Sequence, residues 1–327
     1  MQMRDIRHSI DTEAFLVSHP ANIRYLAGVH TDGGLLLIAS HACTLFVYAL
    51  EHEYAKKHAL IGVRVREMSA FLSVMKNVHS CGFESDNITV SLLINWNRQF
   101  KNTKFVQSKG IIEGVRRQKF AQELKYIQRA LTMTEELLVR IPSTLKRFPT
   151  EKELAWMLER HARDLGADGM AFNPIVAFGQ HTSCPHHRPT DRKFKIGDLV
   201  QIDIGTRYRG YCADRSEVYF TGTSSSLQQR VYKAVQEAKN AAKTAVKPGV
   251  TTHELDHIAR KVLREHTFEK YFCHGLGHGV GLEIHEGVSI SSRGRDIPLL
   301  KNEVITIEPG VYIPGKFGIR LEDMVFV

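Results

Sequence analysis

Short apolar runs alternate with turn-forming residues along the start of the chain. AFLVS, NIRYLAG, DGGLLLIA and CTLFVY fall between residues 12 and 48 and are set off by Pro, Asn, Asp and Gly, a pattern that predicts strands joined by tight loops. Apolar positions return at helical spacing over Glu51–Leu60 and Glu67–Val78, and a further strand is expected near Asn87–Leu93. This βα arrangement predicts a small α/β domain, assigned to residues 1–114. Its boundary is expected near Ile111–Arg117, where Gly110 and Gly114 interrupt the pattern. A long helix is expected from about Gln118 to Thr144, opening a second domain over residues 115–327.

The second domain repeats its own punctuation. Thr150-Glu151-Lys152-Glu153 and Thr251-Thr252-His253-Glu254 both read as capping boxes, with Thr at the N-cap and Glu three residues later. Each follows a helix and a turn, at Pro149 or Pro248-Gly249, and each precedes an amphipathic helix and glycine-rich strands. Carboxylates recur in step. Asp203 and Asp214 close the first half, and Glu308 and Glu322 close the second. Duplication of an α/β half accounts for both regularities.

These four carboxylates and His278 are the candidate chemistry. Asp203 ends the buried-strand pattern LVQIDIG, and Asp214 follows after Tyr208, Gly210 and Tyr211, a hairpin spacing. His278 lies in GLGHGVGLEIHE, where glycines let backbone approach a bound group closely. Glu308 closes VITIEPG, and Glu322 follows Gly318-Ile319-Arg320-Leu321. Burying such a set unpaired is costly, and a pair of divalent cations removes that cost.

The order Asp, Asp, His, Glu, Glu and the strings IDIG, GHGVGLEIHE, IEPGVY and GIRLED resemble the pita-bread (M24) metallopeptidases, which include methionine aminopeptidase, aminopeptidase P and prolidase. The resemblance implies two divalent ions, Mn²⁺ first, with Co²⁺, Fe²⁺ or Zn²⁺ also suited to mostly oxygen ligands. Asp203 would chelate one metal, Asp214 and Glu322 would bridge, and His278 and Glu308 would complete the second. A water shared by the metals would be acidified to hydroxide and attack the scissile carbonyl. His186 in CPHHRP, His274 and His285 match the family's substrate-facing imidazoles. Glu286, Tyr312 and Arg320 also fall in matching strings, Arg320 as a partner holding a carboxylate in place. One departure stands out. Many prolidase-like members carry Thr-Arg where Ser216-Glu217 stands here, so Ser216 can still donate to a carboxylate while Glu217 reverses the expected charge.

HPANIRYLAG resembles the creatinase-type amino-terminal domain, which argues against a plain methionine aminopeptidase. The implied fold class is α/β (α+β), a small creatinase-like domain followed by a pseudo-twofold pita-bread catalytic domain. The implied activity is cleavage of the N-terminal Xaa-Pro bond of a proline-containing peptide, by an aminopeptidase P or by a prolidase restricted to dipeptides. A metal-free interaction module is the alternative from another class. A homodimer is the implied assembly.

Bulk properties narrow the setting. No apolar run approaches a membrane span, and the amino terminus MQMRDIRHSIDTEAF lacks the apolar segment and cleavage site of a signal peptide. Cys43, Cys81, Cys184, Cys212 and Cys273 are odd in number and lack CxxC spacing, so reduced thiols in a cytoplasmic protein are expected. The net charge of +9 is carried by scattered Arg and Lys, the lysines running from Lys56 to Lys316, without a long basic run, which argues against a nucleic-acid partner. Among the remaining histidines, His181 has no assigned role, His187 is read as an exposed loop residue, and His41, His52, His58 and His79 as surface residues.

Overall fold

The structure is a computed structural model describing Ile6, residues 10–40 and residues 42–327, so His41 lies outside the described residues. The chain divides into two units, Met1–Arg116 and Arg117–Val327. In the first, strands β1 (Ala14–Val17), β2 (Leu35–Ala39), β3 (Cys43–Val47), β4 (Val63–Glu67), β5 (Ser80–Glu84) and β6 (Lys104–Ser108) form one sheet in the order β4-β3-β2-β1-β5-β6. The β1–β2 and β2–β3 pairs are antiparallel and the others parallel. Leu16, Phe46, Phe71, Trp96 and Phe100 lie in its core.

Three sequence expectations change here. NIRYLAG is helical, within α1 (Pro20–Ala27). Pro20 suits a first turn that needs no N–H, Ile23, Leu26 and Ala27 are buried at helical spacing, and Gly28 ends the helix at φ 74° with its N–H donated to Arg24 O. The strand expected near Asn87–Leu93 is instead β5, whose residues are buried without alternation. Leu92 and Leu93 belong to a helix at Val90–Gln99, capped by Thr89 Oγ1 accepting from Leu92 N–H. Ile111–Arg117, expected as a break, is also helical; Gly114 inside it costs only about 1 kcal/mol against Ala.

In the second unit the long helix spans Ala121–Val139 and is followed by a short one at Ile141–Leu145. The two capping boxes form as expected. Thr150 Oγ1 accepts from Glu153 N–H at 3.1 Å and opens the helix Glu151–Asp164; Thr251 Oγ1 accepts from Glu254 N–H at 3.2 Å and opens Thr252–Glu265. Each capping threonine also makes an isolated antiparallel bridge, Thr150 with Lys193 and Thr251 with Pro298. The repeat therefore extends beyond the helices to the strand entries. Leu199–Ile204 pairs antiparallel with Arg215–Phe220, and Val304–Ile307 with Asp323–Phe326.

Strand alternation decides which side chains reach the site. In Leu199–Ile204, Val200, Ile202 and Ile204 join the core that includes Leu154 and Leu158, which turns Gln201 and Asp203 to the opposite face. Around Phe317–Arg320, Ile319 and Leu321 join the core that includes Val231, Val235, Leu255 and Ala259, so Arg320 and Glu322 face the other way.

Candidate active site

Tight turns bring the candidate ligands together. A Cβ at Gly205 would overlap the Ala213 carbonyl, so only glycine lets the chain fold back from Asp203 to Asp214 at this closeness. Gly277 likewise lies against the Thr306 carbonyl, and Thr306 Oγ1 accepts His278 N–H at 3.0 Å. Asp203, Asp214, His278, Glu308 and Glu322 all line one cavity of about 760 Å³. His278 Nε2 stands 3.5 Å from Asp214 Oδ2 and 3.4 Å from Glu308 Oε1. Its Nδ1 meets Gly279 O at 3.1 Å, which fixes the tautomer with Nδ1–H donated and the Nε2 lone pair turned to the carboxylates.

The electrostatics of this set call for positive charge. Burial pushes the Asp214 carboxyl well above the usual range, and Asp203 and Glu308 add to the effect. Burial does the same to Glu322, reinforced by Asp214, Glu308 and Asp203. Glu308 is also raised by burial, although His278 and Arg320 oppose the shift. Asp203 Oδ1 and Glu322 Oε1 are buried and accept no hydrogen bond among the described residues. Such orphaned carboxylate oxygens are costly beside other acids, and divalent cations suit this donor set.

Arg320 supplies the fixed cation within the protein. Nη2 donates to Asp203 Oδ2, Nη1 to Tyr312 Oη at 2.6 Å and to Pro185 O at 3.2 Å, and Nε to Ser216 Oγ at 3.0 Å. Burial opposes its charge, but Tyr312, Asp203 and Glu308 outweigh that and hold Arg320 protonated. Ser216 thus acts on the carboxylates through Arg320, while Glu217 turns aside to Arg215 at 3.0 Å.

Known proteins share this architecture. Residues 125–327 match metallopeptidase family M24, and residues 2–118 match the Creatinase/Prolidase N-terminal domain. The chain belongs to metallopeptidase family M24. It is 33% identical over 323 residues to a Xaa-Pro dipeptidase of Pyrococcus horikoshii, covering 98% of this chain and 91% of the relative. The crystal structure of the prolidase from that organism superposes with a TM-score of 0.94 at 32% identity, covering 100% of this chain and 95% of that one. An X-Pro aminopeptidase from Thermotoga maritima gives 0.90 at 33% identity, covering 98% and 94%. The chain thus has the pita-bread catalytic fold behind a creatinase-type domain.

The other expected residues of this M24 protein divide by position. His186, His274 and His285 line the cavity, as does Arg320. His274 is committed to the wall, its Nδ1 on Gly275 O at 2.8 Å and its Nε2 on Tyr312 Oη at 3.0 Å. Burial pushes it down to about 4, with Arg320 contributing. Burial also pushes His285 down to about 4, helped by the His278 ring 4.1 Å away. Glu286 does not line the cavity. It pairs with Lys119 at 3.0 Å and accepts Glu283 N–H at 3.2 Å, packed against Gly281.

His187 corrects the expectation of an exposed loop residue. Its Nε2 lies 2.9 Å from Glu151 Oε2, and His181 Nδ1 lies 2.9 Å from Glu151 Oε1. Glu151 also accepts from Phe178 N–H, Thr190 N–H and Thr190 Oγ. This buried carboxylate therefore clamps the segment that carries His186 and His187 into the cavity wall. Sequence reading missed it because its partners lie 30 and 36 residues away with no local motif.

Proposed function

We propose that the chain hydrolyses the bond between an N-terminal residue and a following proline, with two divalent cations held by Asp203, Asp214, His278, Glu308 and Glu322. The observation that carries this reading is the pair of orphaned carboxylate oxygens, Asp203 Oδ1 and Glu322 Oε1, beside a cavity lined by all five side chains. Asp214 and Glu322 would serve both ions in this reading, and Mn²⁺ would be the first choice of metal. Bound there, the cations supply Lewis acidity toward a carbonyl oxygen and toward a water.

The chain's own residues do the rest. His278 presents Nε2 because Nδ1–H is spent on Gly279 O. Arg320 and Ser216 hold Asp203 in orientation, and Tyr312 and His274 hold Arg320's far edge. His285, neutral at pH 7, offers an N–H toward the developing oxyanion, and His186 passes a proton to the proline nitrogen, which cannot leave as an anion. Arg320, Tyr312 and His274 act as positioning residues. Glu286 supports the loop rather than touching the peptide.

The Xaa-Pro specificity is supported by the names of the relatives, which share that substrate class whether dipeptidase or aminopeptidase. A dipeptidase is the second reading, favoured by the P. horikoshii enzyme at 0.94. A cytoplasmic homodimer is the proposed state, and five cysteines, an odd number without CxxC spacing, suit a reducing compartment. Xaa-Pro dipeptides and Xaa-Pro-Yaa tripeptides, offered to chelated protein before and after Mn²⁺ is restored, test the reading. Metal-dependent tripeptide cleavage supports the aminopeptidase, dipeptide cleavage alone supports the prolidase, and metal binding without either overturns the specificity.

A further inference from the structure

A second cavity, of about 300 Å³, lies apart from the five candidate ligands and serves no step of the reaction above. Three arginines line it, Arg140, Arg147 and Arg160, together with Trp156. Arg140 sits at the junction of the helices Ala121–Val139 and Ile141–Leu145, and Arg147 lies just beyond the second. Trp156 and Arg160 are four residues apart on the helix Glu151–Asp164, whose opposite face buries Leu154, Leu158 and Ala162. The cavity is therefore built from neighbouring helix ends and one helix face.

Two features of it are unusual. No acidic side chain lines the cavity, and among the described residues none of the three arginines has an acidic partner within 4.0 Å. All three positions are exposed, so the cationic side chains are open to an anion from solution. Trp156 is 61% exposed, although tryptophan is normally among the most buried side chains. The Arg160 guanidinium lies over the indole, 5.9 Å from its ring centroid, so positive charge engages one face of the ring and the rest of the exposed indole is left to a ligand. The hydroxyls of Ser143 and Thr144 already donate to Arg140 O, at 2.7 and 3.0 Å, so the donors left to a ligand are those of the arginines and the His161 ring.

We infer that this cavity binds a nucleotide, its phosphates on Arg140, Arg147 and Arg160 and its base stacked on Trp156. Guanidinium forks match phosphate oxygens in pairs. The exposed indole adds a stacking face that a run of acidic peptide side chains would leave unused. Its volume is at the small end for a ligand pocket, which suits a diphosphate seated among the arginines with the base lying over the open indole.

The protein carries two tryptophans, and the other, Trp96, is 4% exposed, so Trp96 contributes a background emission shielded from ligand and the part of the signal that ADP changes is assigned to Trp156 by substitution. ADP titrated into the metal-loaded protein should give a saturable quench that weakens as salt rises. Trp156→Phe should abolish the quench. Arg140→Ala and Arg147→Ala, both at exposed positions, should each weaken ADP by about tenfold or more, the loss of one charge-assisted hydrogen-bonded partner. Pyrophosphate, followed by competition, should bind more weakly than ADP. No saturable quench at millimolar ADP, or a quench unaltered in both arginine variants, would overturn the site; equal affinity for pyrophosphate and ADP would overturn its assignment to a nucleotide.

Discussion

At the residue scale, the site is a balance between carboxylates that repel and cations that hold them. Burial and neighbouring acids raise Asp214 well above the usual range, so removing its charge relieves the metal-free protein. Asp214→Asn should leave chelated protein melting at the same temperature or higher. It should also reduce peptidase activity by more than the roughly 100-fold that follows loss of an outer hydrogen-bond partner of a ligand. Calorimetry in chelator and peptide hydrolysis with Mn²⁺ check the two halves, and a variant that melts lower yet retains activity would contradict both. Glu151 shows the opposite balance. Burial pushes its carboxyl up, but Thr190, His187, Phe178 N–H and His181 together outweigh this and hold it below the ordinary glutamate range. A lowered folded value means the unfolded chain takes up the proton first as pH falls. Glu151's stabilisation is therefore full above the unfolded value and is lost as pH falls through the folded one. Glu151→Gln should cost on the order of 2 kcal/mol at neutral pH, as loss of hydrogen bonds to a charged acceptor does, and the gap from the parent protein should narrow in acid. Denaturant melts across pH read this directly. Legibility differed between the two clusters. Asp203, Asp214, His278, Glu308 and Glu322 each sit in a local string of glycines and apolar residues that marks a turn or strand end. The Glu151 clamp joins three segments, and no one of them looks unusual alone.

At the element scale, what could be read depended on whether the signal was local. The capping boxes at Thr150 and Thr251 need only four residues each, and both form. Thr251→Ala should cost about 1 kcal/mol, the usual value of an N-cap side chain, with little effect on activity, because the helix it opens supplies no cavity residue. A denaturation curve shifted by several times that amount would mean the Thr251–Pro298 bridge carries more than the cap. The misread elements have a common cause. In NIRYLAG the apolar positions fit a strand by length and a helix by spacing, and the deciding features are Pro20 before it and Gly28 after it. Ser80–Glu84 is buried between strands on both sides, so it shows no alternation, and the more apolar Ile88–Leu93 drew the strand reading instead. The helix at Ile111–Arg117 keeps a glycine because neighbouring buried residues, Ile112 and Arg116, outweigh its poor propensity. Tertiary packing made each of these choices.

At the scale of the whole molecule, the pseudo-twofold second unit leaves four acids at one cavity, so the proposed cation binding would be linked to folding. An ion that binds only the native state stabilises it by about 2.7 kcal/mol at one hundred times its dissociation constant. For a domain of roughly 200 residues that corresponds to a rise in melting temperature of roughly 5–11 °C. Mn²⁺ added to chelated protein should produce a shift of this size. Its pH dependence follows from the same carboxyls. Asp214, Glu308 and Glu322 are all held above their ordinary values by burial, and each must be unprotonated to ligate. As pH falls from neutral toward their raised values, protons compete with the cation, so the Mn²⁺-induced shift should shrink and then vanish. In Asp214→Asn the shift should be small at every pH, since one of the proposed carboxylate ligands is gone. Thermal melts with and without Mn²⁺, run on both proteins from neutral to mildly acidic pH, separate this linkage from a general effect of salt: an equal gain in both proteins at every pH would mean that the ion stabilises some other surface and that these acids hold no metal.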